Sequence, residues 1–204
     1  AYGPNFLGYN DPDVDAAALE QLKKGNCVSL ASDLLIEFAE ETVNTINMAD
    51  WAFFAKNGGD ATSFAVMIAR AYTNRKKVVL VSGYYHGVAP WMQKLGYAGV
   101  TEEDIANNLY IDWNAPDQFE KLIKKYPGQI AALIATPYYH PTFVDNQPPP
   151  EGYWQKMRKL CDDNGIILIF DDVRAGFRID VKGSDYHYGI KSALSCFCKA
   201  IATG

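Results

Sequence analysis

The sequence predicts an α/β protein with three layers, in which a mainly parallel sheet carries helices on both faces. Two observations support this prediction. Short apolar runs alternate with longer amphipathic stretches along the 204 residues, and such alternation is typical of parallel strands joined by right-handed helical crossovers. The apolar runs are almost uninterrupted, which indicates strands that are buried on both faces.

Each element is predicted from the spacing of its apolar residues. Strands are predicted over residues 51–56, 77–82, 109–113, 130–136, 165–170 and 193–197. Helices are predicted over residues 13–24, 32–46, 61–73, 116–125 and 151–164. The last helix ends at Asn164-Gly165, a pair typical of a helix C-terminus. The proline-rich stretch 141–150 is predicted to be a surface loop.

Composition excludes several classes of protein. A hydrophobic content of 49% and a net charge of -5 describe an ordinary globular chain, not a disordered or collagenous one, and the length predicts roughly one domain. The acidic balance argues against nucleic acid or an anionic membrane as the main partner. Neither a membrane span nor a signal peptide is recognisable, so we expect a cytoplasmic protein. The chain opens in a loop and stops where another element starts, so we expect a piece of a longer polypeptide.

The four cysteines are too few and too scattered for a disulfide scaffold. They are Cys27, Cys161, Cys196 and Cys198. The Cys-x-Cys pair at 196–198 has neither a second pair nor a suitably spaced histidine, so we expect no metal site. Reduced and mostly buried thiols are therefore predicted.

Candidate site residues follow the predicted strands, because ligands of parallel sheets bind beyond the carboxyl ends of the strands. Residues 57–60 (Asn-Gly-Gly-Asp) follow the first strand and precede a helix. The glycines and the free N–H groups of a helix start favour phosphate, although a plain glycine turn with Asp60 at the helix N-terminus explains them equally well. After the second strand, Tyr85 can lie on a planar ligand and His86 can contact it, or both can simply cap the core.

Two more candidate motifs follow the later strands, namely an aspartate pair and a lysine. Asp171 and Asp172 end a buried strand, where carboxylates are costly unless they are paired, bound to metal or facing a cation. Helix capping, or a salt bridge to Arg174 or Arg178, is the alternative. Lys199 stands near the end of the last strand; it either extends to water, which the pattern alone favours, or works with a lowered pKa.

Together these motifs resemble the class III aminotransferases, which use pyridoxal phosphate (PLP), and most of all the branch related to glutamate-1-semialdehyde aminomutase. The matching pieces are residues 3–8, 21–25, 57–61, 69–75, 83–87, 170–178 and Lys199 with its glycine-bearing tail. The resemblance implies the large domain of aspartate-aminotransferase-like PLP enzymes over residues 1–204, incomplete and without its small C-terminal domain. It also implies a homodimer with the active site at the interface.

The resemblance assigns two catalytic roles. Lys199 would form the internal aldimine with PLP and move the proton between the substrate and the cofactor. Asp171 would pair with the pyridine nitrogen and keep it protonated, so that the ring acts as an electron sink. The cofactor-binding residues implied in this way are Asn57, Gly58, Gly59, Tyr85, His86, Asp171, Val173 and Lys199.

Several positions depart from the family pattern. Residues 57–60 replace Ser-Gly-Thr-Glu, Ser192-Ala193 replaces Pro-Asp, and Cys198 replaces the glycine before the lysine. Thr136 stands where the family has glutamate, and Tyr2 stands where aminomutases have tryptophan; these two are the weaker candidates for contacting substrate. Residues 88–108 fall where aminomutases carry a gating loop, although a plain surface loop and helix fits as well.

We therefore expect an aminotransferase that moves an amino group between an amino donor and a keto acid or aldehyde. An intramolecular aminomutase of the glutamate-1-semialdehyde type is the first alternative, and the motifs do not separate the two. A degenerate, non-catalytic protein is the second alternative, motivated by the altered positions. The retention of both Lys199 and Asp171 argues against it.

Overall fold

A computed structural model describes residues 3–25, 29–141 and 144–201. Its centre is a sheet of five strands: β1 (Lys77–Val81), β2 (Asn108–Ile111), β3 (Ile130–Ala135), β4 (Ile167–Asp171) and β5 (Leu194–Cys196). The strands lie in the order β2-β1-β3-β4-β5, and each neighbouring pair is parallel. The predicted parallel sheet is confirmed, and its carboxyl ends all open on one edge.

Seven α-helices are present in the described ranges: α1 (Pro12–Lys24), α2 (Asp33–Thr45), α3 (Gly58–Thr73), α4 (Glu102–Ile105), α5 (Pro116–Lys125), α6 (Tyr153–Asn164) and α7 (Ser184–His187). The two helices of four residues, α4 and α7, are not predicted by the apolar spacing because they are too short to show a period. Across the described chain, no helix is both long enough and apolar enough to cross a membrane.

Helices cover both faces of the sheet because alternate strand residues point to opposite sides. On one face, Leu133 and Phe170 pack with Phe119 of α5 and Trp154 of α6. On the other face, strand residues pack against α3; they include Val78, Leu80, Ile134 and Ile169. The predicted three-layer architecture is confirmed.

The predicted strand over residues 51–56 is wrong. These residues form an irregular segment before α3, and Trp51 and Phe53 remain 62% and 57% exposed. Phe54 stacks on Phe38 of α2 at 4.9 Å, and Phe53 meets Phe64 of α3 edge to face at 5.0 Å. The segment and β5 line one apolar groove of about 440 Å³. Side chains that pack on helices produce the same apolar pattern as a strand, but a strand also needs a backbone partner, and the described residues provide none.

Candidate active site

A cavity of about 600 Å³ opens at the carboxyl edge of the sheet. Every predicted site residue in the described part of the chain lines it: Asn57, Gly58, Gly59, Tyr85, His86, Thr136, Asp171, Val173 and Lys199. Tyr2 lies outside the described residues. The side chains come from the loops after β1, β3, β4 and β5 and from the start of α3, so the topology alone brings them together.

One wall of the cavity is the N-terminus of α3. The helix begins at Gly58, three residues before the predicted start, because Asn57 caps it. Asn57 Oδ1 accepts from the Asp60 N–H at 3.0 Å, and Asn57 Nδ2 donates to Asp60 Oδ2 at 3.0 Å. The N–H groups of Gly58 and Gly59 have no acceptor within the helix. The motif therefore caps the helix and lines the cavity, and its binding of a phosphate stays a prediction.

Glycine is required at position 58. A Cβ added at Gly58 would lie 2.9 Å from Val173 Cγ1 and 3.3 Å from Cys198 Cβ. Such distances are shorter than normal carbon contacts, so any larger residue would displace Val173. Because Gly58 has only a hydrogen in place of a side chain, three parts of the chain can meet beside the cavity: the N-terminus of α3, the Val173 side chain and the residues after β5.

The loop after β1 is tied to the same helix start. The buried Thr62 hydroxyl lies 2.7 Å from the His86 carbonyl oxygen and 3.0 Å from that of Gly59. A Cβ on Gly87, which has φ of +140°, would lie 2.8 Å from Gly59 Cα. These contacts fix the positions of Tyr85 and His86 relative to α3. Tyr85 is 63% exposed at the rim.

Asp171 is buried and hydrogen-bonded through both oxygens. Its Oδ2 lies 2.6 Å from His86 Nδ1, and its Oδ1 accepts from the Val173 N–H at 3.1 Å. The His86 Nε2 atom is buried and makes no hydrogen bond with the described residues. The alternative predicted for this carboxylate, a salt bridge to Arg174 or Arg178, does not occur in the described part of the structure.

Asp172 contributes to the structure beneath the cavity. Its oxygens accept from the Ser184 N–H at 3.1 Å and from the Ser184 hydroxyl at 2.5 Å, which attaches α7 to the end of β4. Burial raises the pKa of Asp172 to about 7, while the Ser184 hydrogen bonds act in the opposite direction and the charges of Asp185 and Asp171 add to the rise. Of the two adjacent carboxylates, therefore, only Asp171 lines the cavity.

Lys199 follows β5 in a single 3₁₀ turn, Lys199–Ile201, with φ of +23°. A positive φ is uncommon outside glycine and marks local backbone strain. Burial is the main cause that lowers the pKa of Lys199; the charges of Arg174 and Arg178 lower it further, and that of Asp171 raises it. The side chain is partly exposed and lines the cavity, and its role as a working lysine stays a prediction.

Several cavity residues are not predicted as ligand contacts from the sequence, and two of them, Arg174 and His140, are hydrogen-bonded to each other. Arg174 Nη1 donates to His140 Nδ1 at 3.0 Å and to the His140 carbonyl oxygen at 3.1 Å. His140 stands five residues beyond the end of β3, and its position after a strand is the only signal that the sequence offers. Among the described residues, no cluster of histidine, cysteine and carboxylate side chains is placed to hold a metal ion.

The arrangement defines a site that can hold an anion on a helix start, a ring nitrogen on a carboxylate and a carbonyl carbon on a lysine. The family model for class III aminotransferases matches residues 1–204. The chain belongs to this family, and the predicted resemblance is confirmed.

Curated relatives align with the full length of the chain. It is 40% identical to the aminopentol aminotransferase of Sphingopyxis macrogoltabida over 204 residues, covering 100% of the chain and 48% of that protein. It is 31% identical to the glutamate-1-semialdehyde 2,1-aminomutase of Clostridium tetani over 215 residues, covering 100% of the chain and 50% of that enzyme. The chain thus spans about half the length of the curated relatives it matches.

Solved structures share the fold. The PLP internal aldimine form of the FumI protein from Sphingopyxis sp. MTA144 has a TM-score of 0.94 at 40% identity, covering 100% of this chain and 49% of that one. An omega-transaminase from Sphaerobacter thermophilus has a TM-score of 0.89 at 25% identity, covering 98% of this chain and 49% of that one.

Proposed function

We propose that the cavity binds PLP and that the protein containing this chain is an aminotransferase, which moves an amino group between an amino donor and a keto acid or aldehyde. The observation that carries the proposal is the placement of Lys199, Asp171 and the start of α3 around one cavity. Bound PLP supplies an electron sink that stabilises negative charge on the carbon beside the amino group.

The residues present fit this cofactor. The N–H groups of Gly58 and Gly59 suit a phosphate, since a helix N-terminus favours anions. The lack of a side chain at Gly58 keeps the Val173 side chain in its place beside the cavity. Asp171 suits a protonated pyridine nitrogen, because it lines the cavity and a carboxylate oxygen that has one donor partner can accept a second hydrogen bond.

Asp171 and His86 act together in this proposal. The His86 contact orients the carboxylate, and the negative charge of Asp171 holds a proton on the ring nitrogen. Tyr85 and Val173 line the cavity and would contact the ring of the bound cofactor. Thr136 donates through its hydroxyl to the Tyr138 carbonyl oxygen at 2.9 Å, so it shapes the cavity wall on which substrate lies.

Lys199 is the residue that would hold the cofactor covalently, and its Nζ would also move the proton. Because its pKa is lowered, a larger fraction of the amine is neutral at a given pH than for an exposed lysine, and a neutral Nζ is both a nucleophile and a base. The same atom accepts the proton from the substrate carbon and returns it to the product.

The complete protein is proposed to be a homodimer whose active sites lie at the interface, with a small C-terminal domain in the remainder of its length. Exposed apolar side chains on α3 support the dimer: Phe64, Met67, Ile68 and Tyr72. Curated relatives twice as long support the further domain. The described cysteines carry no disulfide, which supports the expected cytoplasmic location.

The visible absorption spectrum of the complete protein with PLP tests the function. We expect a band that Lys199→Ala removes and that Lys191→Ala, a matched change at an exposed lysine, retains. When a panel of amino donors is added one at a time, the donor that the enzyme uses should abolish the band and be released as its keto product. Loss of the band without keto release would favour the aminomutase, and no band in the wild-type protein would contradict the proposal.

A further inference from the structure

Arg174 introduces a positive charge into the cavity that the roles above do not use. It lines the cavity together with Lys199. In the described ranges, Arg174 makes no ion pair, and the nearest carboxylate of the cavity, Asp171, is already bonded to His86. Arg178 adds a second cation nearby, since its Nη1 donates to the Arg174 carbonyl oxygen at 3.0 Å. A buried or half-buried cation without a counter-charge is costly, which points to an anion from a ligand.

His140 holds the arginine in place. It accepts from Arg174 Nη1 through both Nδ1 and its carbonyl oxygen. The imidazole ring stacks on Tyr84 at 5.9 Å and meets Tyr138 edge to face at 5.0 Å. Burial, followed by the charge of Arg174, lowers the pKa of His140 to about 4, so the ring is neutral at pH 7 and its Nδ1 lone pair remains available to the arginine.

Only one nitrogen of the guanidinium is used by this contact. A guanidinium carries five N–H donors, and the Nε and Nη2 atoms of Arg174 make no hydrogen bond within the described chain. Because His140 fixes Nη1, the remaining donors are preorganised and lose little freedom when they bind a ligand. Planar donors in this geometry suit an anionic oxygen.

We propose that Arg174, with His140 as its positioning residue, binds an anionic oxygen of the ligand in this cavity. Two sources supply that chemistry, namely the phenolate oxygen of PLP and the carboxylate of a substrate. This inference rests on the proposed function, which the Lys199 experiment tests independently through the appearance of a visible band.

The phenolate source is tested by a pH titration of the visible band of the PLP-loaded, complete protein without substrate. A cation beside the phenolate disfavours the protonated form of the nitrogen that joins Lys199 to the cofactor. Arg174→Gln should therefore raise the midpoint of the titration by about one pH unit. Arg158→Gln, whose guanidinium pairs with Asp162 on α6, is the matched control and should leave the midpoint unchanged.

The carboxylate source is tested with propionate, a carboxylate that lacks an amino group. Calorimetry on the same loaded proteins should show a dissociation constant at least about tenfold weaker for Arg174→Gln than for wild type, equivalent to ~1.4 kcal/mol. If Arg174→Gln shifts only the titration midpoint, Arg174 binds the phenolate oxygen of PLP. If it weakens only the binding of propionate, Arg174 binds the carboxylate of the substrate. If Arg174→Gln changes neither quantity, the proposal is overturned.

The role of His140 is tested by two substitutions. His140→Phe keeps a ring against Tyr84 but lacks the Nδ1 acceptor, so it should reproduce the change caused by Arg174→Gln. His140→Asn places an amide oxygen near the position of Nδ1 and should restore the wild-type value. If His140→Phe behaves like wild type, His140 does not position the arginine.

Discussion

His86 and Asp171 join the loop after β1 to the end of β4 through a buried contact of 2.6 Å between Nδ1 and Oδ2. Their side chains are 1% and 3% exposed, so neither group can exchange this partner for water. The other oxygen of the carboxylate, Oδ1, accepts a hydrogen bond from the Val173 N–H. A carboxylate fixed in this way has its charge oriented before any ligand arrives, which is the condition for strong electrostatic catalysis.

Asp171→Asn should keep the fold and much of the PLP affinity but lose turnover. The amide is similar in shape and lacks the charge that holds a proton on the ring nitrogen. We expect a loss on the order of 10²- to 10³-fold in kcat, the range found when one preorganised group is removed from an active site. Single-turnover kinetics of the loaded protein would measure it, with the exposed Asp145→Asn as control. Unchanged rates would mean that another group protonates the nitrogen.

Gly58→Ala should weaken PLP binding even though alanine is the better helix former by up to about 1 kcal/mol. The added methyl meets Val173 and Cys198, and overpacking of this kind costs about 1–3 kcal/mol. Fluorescence titration with PLP should show the loss as a weaker dissociation constant. The double variant Gly58→Ala/Val173→Ala should recover part of the affinity, because it removes the Val173 methyl groups that collide but also shortens a side chain that lines the cavity. Equal affinity for Gly58→Ala and wild type would show that the helix start adapts.

Asp172→Asn should alter the dependence of stability on pH. The folded pKa of Asp172 is about 7, against 3.8 for the free group, so the folded state binds the extra proton in this interval. The wild-type free energy of unfolding therefore falls as pH rises from about 4 to 7, by up to roughly 1.4 kcal/mol per pH unit. The neutral amide lacks this dependence and can still bond Ser184.

Urea unfolding at a series of pH values would measure the difference between Asp172→Asn and wild type. The variant should gain stability relative to wild type as the pH rises and hold a constant advantage above about pH 7. The exposed Asp163→Asn is the control and should track wild type. A difference that does not change with pH would show that Asp172 titrates normally in the folded state.

Met67→Asp should weaken self-association. Met67 is 60% exposed on α3 within the apolar group on which the proposed homodimer interface rests, and a carboxylate buried at an interface without a partner is costly. Analytical ultracentrifugation of the complete protein should show a dissociation constant at least about tenfold weaker. Lys121→Asp on α5, which covers the other face of the sheet, should associate like wild type. Equal association of both variants would place the interface elsewhere.

The sequence predicts those parts of the fold and site that depend on local pattern. Parallel strands that are buried on both faces have continuous apolar runs. Asp171 and Lys199 come at the ends of such runs, and the carboxyl ends of parallel strands lie at the same edge of the sheet, so the sequence predicts that these two residues lie close together. Residues 51–56 show the limit of this reasoning, because an apolar run does not reveal whether a backbone partner exists. The start of α3 is also misjudged, since two glycines resemble a turn until Asn57 is recognised as the cap.

The sequence does not predict the contact between His140 and Arg174, and the reason is different. The two residues are 34 positions apart and come from separate loops. Neither is unusual in its local context, and the sequence suggests a contact for Arg174 only with the neighbouring carboxylates. Only the pairing of β3 with β4 brings these loops side by side, and that pairing is set by tertiary packing.

The parallel order of the strands has a consequence for synthesis on the ribosome. The cavity takes residues from Asn57, the cap of α3, to Lys199 after β5, so its wall closes only when β5 has paired with β4. Contacts of such long sequence separation form slowly. The emerging chain therefore has Asn57 and Asp171 long before Lys199. If Lys199 binds PLP as proposed, covalent capture of PLP would report that the last strand has docked.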